Sequence, residues 1–108
     1  MSSVVSSTSS KSTTTIANQD TTVTDYNLVS LTANTEYSQA LPANCKGFWI
    51  KTKLPCTLKT SFVLNGTHVT PMTVPPLCVY REDQFFSNST IYFQTSIGSV
   101  IVELRAFS

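Results

Sequence analysis

The chain has 108 residues, a formal net charge of +1, 41% hydrophobic and 12% charged residues, and 15 Ser with 17 Thr. That length suits one ordinary domain, and near-neutral charge excludes a duplex nucleic-acid binder, which needs clustered Lys and Arg to displace counterions from phosphates. No run approaches the ~18 apolar residues of a membrane span, and residues 1–24 lack the apolar core of a signal peptide, so the sequence predicts a soluble protein with no membrane partner.

Composition changes near residue 25. Residues 1–24 hold 14 Ser or Thr and no aromatic, Gly or Pro, whereas every Phe, Tyr and Trp lies at Tyr26 or later. Such a segment buries too little apolar area to offset its ordering entropy. The sequence therefore divides into a Ser/Thr-rich arm, residues 1–25, and a domain, residues 26–108. The arm is either a flexible tail or, given its β-favouring Thr and Val, an extended strand lying along a neighbouring subunit.

Short strands follow in order. Leu28–Thr32 and Glu36–Leu41 fit two of them. Lys46–Leu54 alternates, with Phe48, Ile50, Thr52 and Leu54 on one face and Trp49, Lys51 and Lys53 on the other. Thr57–Leu64 repeats the pattern with Leu58, Thr60, Phe62 and Leu64. Asn65-Gly66 then supplies the positive φ angles of a tight hairpin, with Thr67–Thr73 returning antiparallel. Pro71, Pro75 and Pro76 lack backbone donors and confine that return to a sheet edge or a loop. Leu77–Arg81, Thr90–Thr95 and Val100–Ala106 complete the set, the last two joined by a turn at Ile97-Gly98-Ser99. Turns recur every ~8–12 residues without a sustained helical period, which predicts an all-β fold. The expected architecture is a small antiparallel β-sandwich or jelly-roll-like barrel of seven or eight short strands, with an extended N-terminal arm. Phe48, Phe62, Phe85 and Phe93 are its expected filling.

Catalytic chemistry is poorly provided for, and the chain is expected not to be an enzyme. His68 is the single histidine and there is no G-x-S-x-G elbow, so a nucleophile, base and orienting group do not assemble from the pattern. The three glycines form no phosphate-binding loop. Glu82 and Asp83 are adjacent, and neighbours on a strand point to opposite sides, which rules out a glycosidase pair. Calcium at Asp20, Asp25 or Glu82-Asp83 is a weak reading, because no loop concentrates the ~6–8 oxygens it needs. Cys45, Cys56 and Cys78 with His68 lack the paired spacing of a zinc knuckle. They read as buried free thiols, although a Cys45–Cys56 pair stays open to geometry. No cofactor or metal is expected. Asn65-Gly66-Thr67 and Asn88-Ser89-Thr90 are turn chemistry before they are glycosylation acceptors.

One surface has more content. No acidic residue lies between Glu36 and Glu82, while Lys46, Lys51, Lys53, Lys59 and Arg81 all fall there. Trp49, Lys51 and Lys53 share a predicted strand face, with Lys59 on the next strand. An exposed Trp among lysines suits an interface anchor, a sugar platform or a single-strand stacking site, and a core Trp covered by lysine stems is the bland alternative. A subunit interface of Trp49, Lys51, Lys53 and Lys59 is favoured, because a lone aromatic makes a poor base or sugar platform.

Thr35-Glu36-Tyr37-Ser38-Gln39-Ala40-Leu41-Pro42-Ala43, Phe48-Trp49-Ile50-Lys51, Val79-Tyr80-Arg81-Glu82-Asp83 and Ile91-Tyr92-Phe93-Gln94 resemble stretches of small structural proteins of tailed bacteriophages. The likeness covers roughly residues 28–108 and departs at Pro75-Pro76, where a glycine turn is expected, and in the three cysteines. It implies a β-sandwich virion component, made in the host cytoplasm, that serves as a capsid decoration, cement, neck or tail-associated subunit. Its implied partners are copies of itself and other capsid, neck or tail proteins, with no specific nucleic acid. A carbohydrate- or receptor-binding β module using Trp49 and nearby tyrosines is the alternative.

Overall fold

A computed structural model describes residues 5–6, 8–16, 21–84 and 88–108. The strands are β1 (Val5–Ser6), β2 (Thr8–Ile16), β3 (Thr21–Ser30), β4 (Tyr37–Ala40), β5 (Gly47–Thr52), β6 (Leu58–Ser61), β7 (Met72–Val74), β8 (Tyr80–Glu82), β9 (Thr90–Thr95) and β10 (Val100–Phe107). One helical turn, α1 (Gly66–Val69), interrupts them.

From β3 onward the pairing obeys a single rule. The first strand pairs with the last and each later strand with the next one in, so that β3 meets β10, β4 meets β9, β5 meets β8 and β6 meets β7, all antiparallel. A long antiparallel ribbon of this kind, wrapped on itself, brings β10 beside β5 and β9 beside β6. The result is two sheets with core orders β3-β10-β5-β8 and β4-β9-β6-β7. This is the eight-stranded jelly roll, a form of the expected β-sandwich. β2 extends the first sheet antiparallel to β3, and β1 adds to the second sheet parallel to β4.

Alternation builds the core. Tyr26 and Leu28 of β3, Phe48 and Ile50 of β5, and Val102, Leu104 and Ala106 of β10 face inward from one sheet. Tyr37, Leu58, Val74, Ile91 and Phe93 meet them from the other. Burying a side chain as large as Phe48 or Phe93 contributes ~1.5–3 kcal/mol each, and these inward rows fix which face of every strand points to the interior. Hydroxyls share the interior only where they find partners: Ser30 and Thr95, both buried, bridge the two sheets with Oγ···Oγ1 at 2.6 Å.

Four expectations change. Thr21–Asp25, assigned by composition to the arm, form the first half of β3, and Thr24 is buried. Asn65-Gly66 does not make a tight hairpin: the strand before it ends at Ser61, Asn65 takes a left-handed φ of 65°, and α1 occupies the start of the expected return, whose strand, β7, begins only at Met72 and pairs antiparallel with β6 at the sheet edge. Leu77 also takes a left-handed φ of 64°, so the strand expected at Leu77–Arg81 begins only at Tyr80. Phe62 is 41% exposed and contributes an edge-on contact to Phe48 at 5.9 Å instead of filling the centre. Phe85 and Asp20 lie outside the described residues.

A buried carboxylate explains the path of residues 62–71. Glu36 is fully buried, and it accepts hydrogen bonds from the Asn65 N–H at 2.8 Å, the Thr67 N–H at 3.1 Å and the Thr67 hydroxyl. The Thr67 amide is one that a two-residue hairpin would have used between strands, and the carboxylate takes it for a helical turn instead. Gly66 is required at this turn, because a Cβ there would sit 1.9 Å from the Ser61 Oγ. Gly47 admits the β8 end closely too, since its Cβ would lie 2.7 Å from the Glu82 carbonyl oxygen.

Candidate functional site

The outward face of the β2-β3-β10-β5-β8 sheet carries most of the chemistry. Register places Ser12, Asp25, Arg105, Trp49 and Arg81 side by side on successive strands, in one row across all five. A second row runs through Ser10, Asn27, Glu103 and Lys51. Trp49 is half-buried in the middle of the first row.

Its neighbours are ordered by charge. Arg105 holds Asp25 through two hydrogen bonds, Nε to Oδ1 at 2.6 Å and Nη2 to Oδ2 at 3.1 Å, a fork geometry that fixes the guanidinium plane. The same guanidinium lies 5.3 Å from the Trp49 ring centroid, within cation–π range. The hydrogen bond to Asp25 raises the Arg105 pKa above its ordinary value, partly opposed by burial and helped by the charges of Asp25 and Glu103. Lys51 pairs with Glu103 at 3.5 Å, and Arg81 with Asp83 at 2.9 Å. The Tyr80 phenol is pushed upward in pKa by burial, then by donating to the Glu82 carboxylate at 2.6 Å.

The four residues expected to act together do not all meet. Trp49 and Lys51 share the outer face, as alternation predicts. Lys53 lies past the end of β5 in an exposed loop. Lys59 is on β6 and therefore on the other sheet, where it borders a polar cavity of about 220 Å³ with Asn34, Thr57, Gln94, Thr95 and Ser96. In a jelly roll consecutive strands of this part of the chain alternate between sheets, so the next strand in sequence is not the next strand in space. Nor is the acid-free stretch an electropositive patch. Glu103 of β10, the strand beside β5, pairs with Lys51, and Asp83 pairs with Arg81; the first of these is a contribution that only the long-range register reveals.

Two shallow depressions border Trp49. One, about 290 Å³, is lined by Trp49, Lys51, Val79 and Arg81; the other, about 250 Å³, includes Ser12, Asp25, Asn27, Glu103 and Arg105. With Arg105 over its ring, Trp49 is a fixed aromatic with one side already occupied. Such a group suits contact with a flat protein surface better than stacking of a free sugar ring. Cys45 and Cys56 are buried free thiols, whereas Cys78, expected to be buried, is exposed in the β7–β8 connection. The Cys45–Cys56 pair that the sequence left open is not formed. His68 is exposed on α1. Among the described residues no three His, Cys, Asp or Glu side chains gather as a metal site, and no helix is long and apolar enough to cross a membrane. No family model, no characterised protein and no solved structure matches this chain.

Proposed function

We propose that the chain is a non-enzymatic virion structural protein of a tailed phage, a capsid decoration, cement, neck or tail-associated subunit. It assembles through its β-sandwich and its N-terminal arm, with copies of itself and neighbouring capsid, neck or tail proteins as partners. The jelly roll supports this reading because that architecture recurs in viral capsid domains, though also in lectins, so the fold alone does not choose. The observation that carries it is β2. Eight of its nine residues, of low charge, pair along one side with β3, and the strand forms the outer edge of a five-stranded sheet. The other side of such a strand is a row of backbone donors and acceptors that another strand can complete, and a solitary domain ordinarily shortens, charges or covers it. A Ser/Thr-rich strand held mainly by backbone hydrogen bonds can also leave its own sheet and pair with the same edge of a neighbour, at little cost in buried apolar surface.

Deletion of residues 2–16 tests this, since β3 begins at Thr21 and stays whole. The truncated protein should keep the strand circular-dichroism signal and cooperative melting of the full chain while losing incorporation into particles or oligomers. Incorporation at the full-length level would overturn the arm's role.

A further inference from the structure

Four connections meet at one end of the jelly roll: residues 31–36 between β3 and β4, 53–57 between β5 and β6, 75–79 between β7 and β8, and 96–99 between β9 and β10. Backbone hydrogen bonds tie three of them together, from the Ser99 N–H to the Leu31 carbonyl at 3.1 Å, from Asn34 to Thr95 at 2.8 Å and from Ser96 to Thr57 at 3.0 Å. The fourth joins β7, whose Val74 pairs with Leu58, to β8, whose Tyr80 pairs with Ile50, and so lies at the same end. Each connection displays a large aliphatic side chain to solvent: Leu31 is 65% exposed, Leu54 51%, Leu77 86%, Val79 54% and Ile97 42%. Together they present the surface of roughly three whole aliphatic side chains, on the order of 500 Å², which places them at the size of patch that marks an interaction site.

We propose that this end is a contact between two copies of the chain, placed tip to tip about a two-fold axis. The inference rests on the assembly reading and adds a second surface to it. The charge pattern selects the occupant. Apart from buried Glu36, Lys53 is the only charged residue in these four connections. A charged partner would bury its ions here without counterions. A lipid surface would find two cations, Lys53 in the connections and Lys59 bordering them, where membrane-binding tips carry several. An equally apolar, nearly uncharged surface fits, and a second copy supplies one that is self-complementary under two-fold symmetry. Two such tips would bury on the order of 1,000 Å² in total, near the lower limit of specific interfaces, so the contact is weak alone and effective when repeated in an assembly. Leu77, the most exposed of the five, belongs at its centre, which brings the adjacent exposed Cys78 of both copies together.

The test is sedimentation of the full chain, of the Leu77→Asp/Leu31→Asp variant and of Cys78→Ser, with diamide oxidation of each. Both leucines are solvent-facing, so the double variant should melt as the wild type does. The expected result is wild-type dimerisation at micromolar to submillimolar concentration, a dissociation constant raised at least 100-fold in the aspartate variant, and a cross-linked dimer lost in Cys78→Ser. Self-association unaffected by the aspartates, with no Cys78 cross-link, would overturn the tip contact and leave arm-mediated assembly standing. A wild type that stays monomeric over that range and also fails to enter particles would overturn both.

Discussion

Replacing Glu36 by alanine should be among the most damaging substitutions a polar residue of this chain can suffer. The carboxylate is fully buried and holds two backbone N–H groups and one hydroxyl that belong to residues 29 and 31 positions further along the chain. A hydrogen bond to a charged acceptor is worth ~1.5–3 kcal/mol, and a buried donor left unmet costs ~1–3 kcal/mol. The Thr67 N–H is buried and bears that cost in full, whereas Asn65 is only partly buried and can turn to water. Against this stands relief of the several kcal/mol spent in desolvating the carboxylate. The balance is a loss of about 2–4 kcal/mol, which for a domain near this size lowers Tm by roughly 10–20 °C. Thr67→Val removes the hydroxyl bond to the carboxylate alone and should cost about 1.5–3 kcal/mol. Urea or thermal melts of the two single variants and the double variant give the coupling, which should reach at least ~1 kcal/mol because both side chains serve one network. A Glu36→Ala protein within ~0.5 kcal/mol of wild type, or strict additivity with Thr67→Val, would refute the assignment of this carboxylate as the tether of residues 62–71.

The outer face should behave in the opposite way. Arg105→Gln removes a two-point ion pair whose members are 43% and 41% exposed, so solvent screening limits the loss to about 1 kcal/mol or less. Because Trp49 is the single tryptophan, its fluorescence reports the departure of the guanidinium directly: emission should shift while the melt barely moves, and an unchanged spectrum would show that the ring contact is absent in solution. Stability should fall at alkaline pH. Tyr26 is raised in pKa by burial and then by the charge of Cys45, and Tyr80 by burial and then by Glu82. Both phenols are thus neutral in the folded state over a range where the unfolded chain, with an ordinary value near 10, has lost its protons. The folded state binds more protons there, so the stabilisation is complete below pH 10 and declines as pH rises through the folded values. Phenolate absorbance compared among wild type, Tyr26→Phe and Tyr80→Phe measures this, and ionisation of either residue with a midpoint near 10 in the folded protein would refute it.

What the amino-acid pattern could disclose depended on how locally each feature is determined. β5 and β10 were legible because one face of each is packed against the core, so a period of two is written into Phe48, Ile50, Val102 and Leu104. The Asn65-Gly66 turn was misread because its outcome is decided by Glu36, 29 residues before Asn65. The Thr67 amide finds a better acceptor there than a returning strand offers. Asp25, Glu103 and Arg105 were missing from the expected surface for a related reason: they reach Trp49 and Lys51 through pairings of β10 with β3 and β5, and no property of residues 46–59 encodes that register. The displacement of Lys59 to the far sheet follows from topology alone. Residues 21–25 were credited to the arm because their hydroxyl-rich composition continues it, yet Thr24 is buried opposite Ala106, a place where a small polar side chain fits.

In the proposed assembly, the same topology separates stability from contact with neighbours. Wrapping a ribbon so that first meets last puts the strands' interior rows under strict volume control, and a change at Phe48 or Phe93 is felt throughout the core. The four connections at the tip carry none of that constraint, because their Leu31, Leu54, Leu77 and Ile97 side chains are exposed and the backbones of three of them are already tied by hydrogen bonds to one another. Large aliphatic groups at such positions contribute little to folding and raise the risk of aggregation. Polar residues would satisfy the fold equally well there, so the aliphatic choice is to be explained by what the tip meets. β2 poses the same question at the sheet edge, where a strand of Ser and Thr closes nothing in the apolar core. Two surfaces that the fold does not need, at different places on the barrel, are what a subunit requires to join more than one neighbour, and a single-site binding module has use for only one.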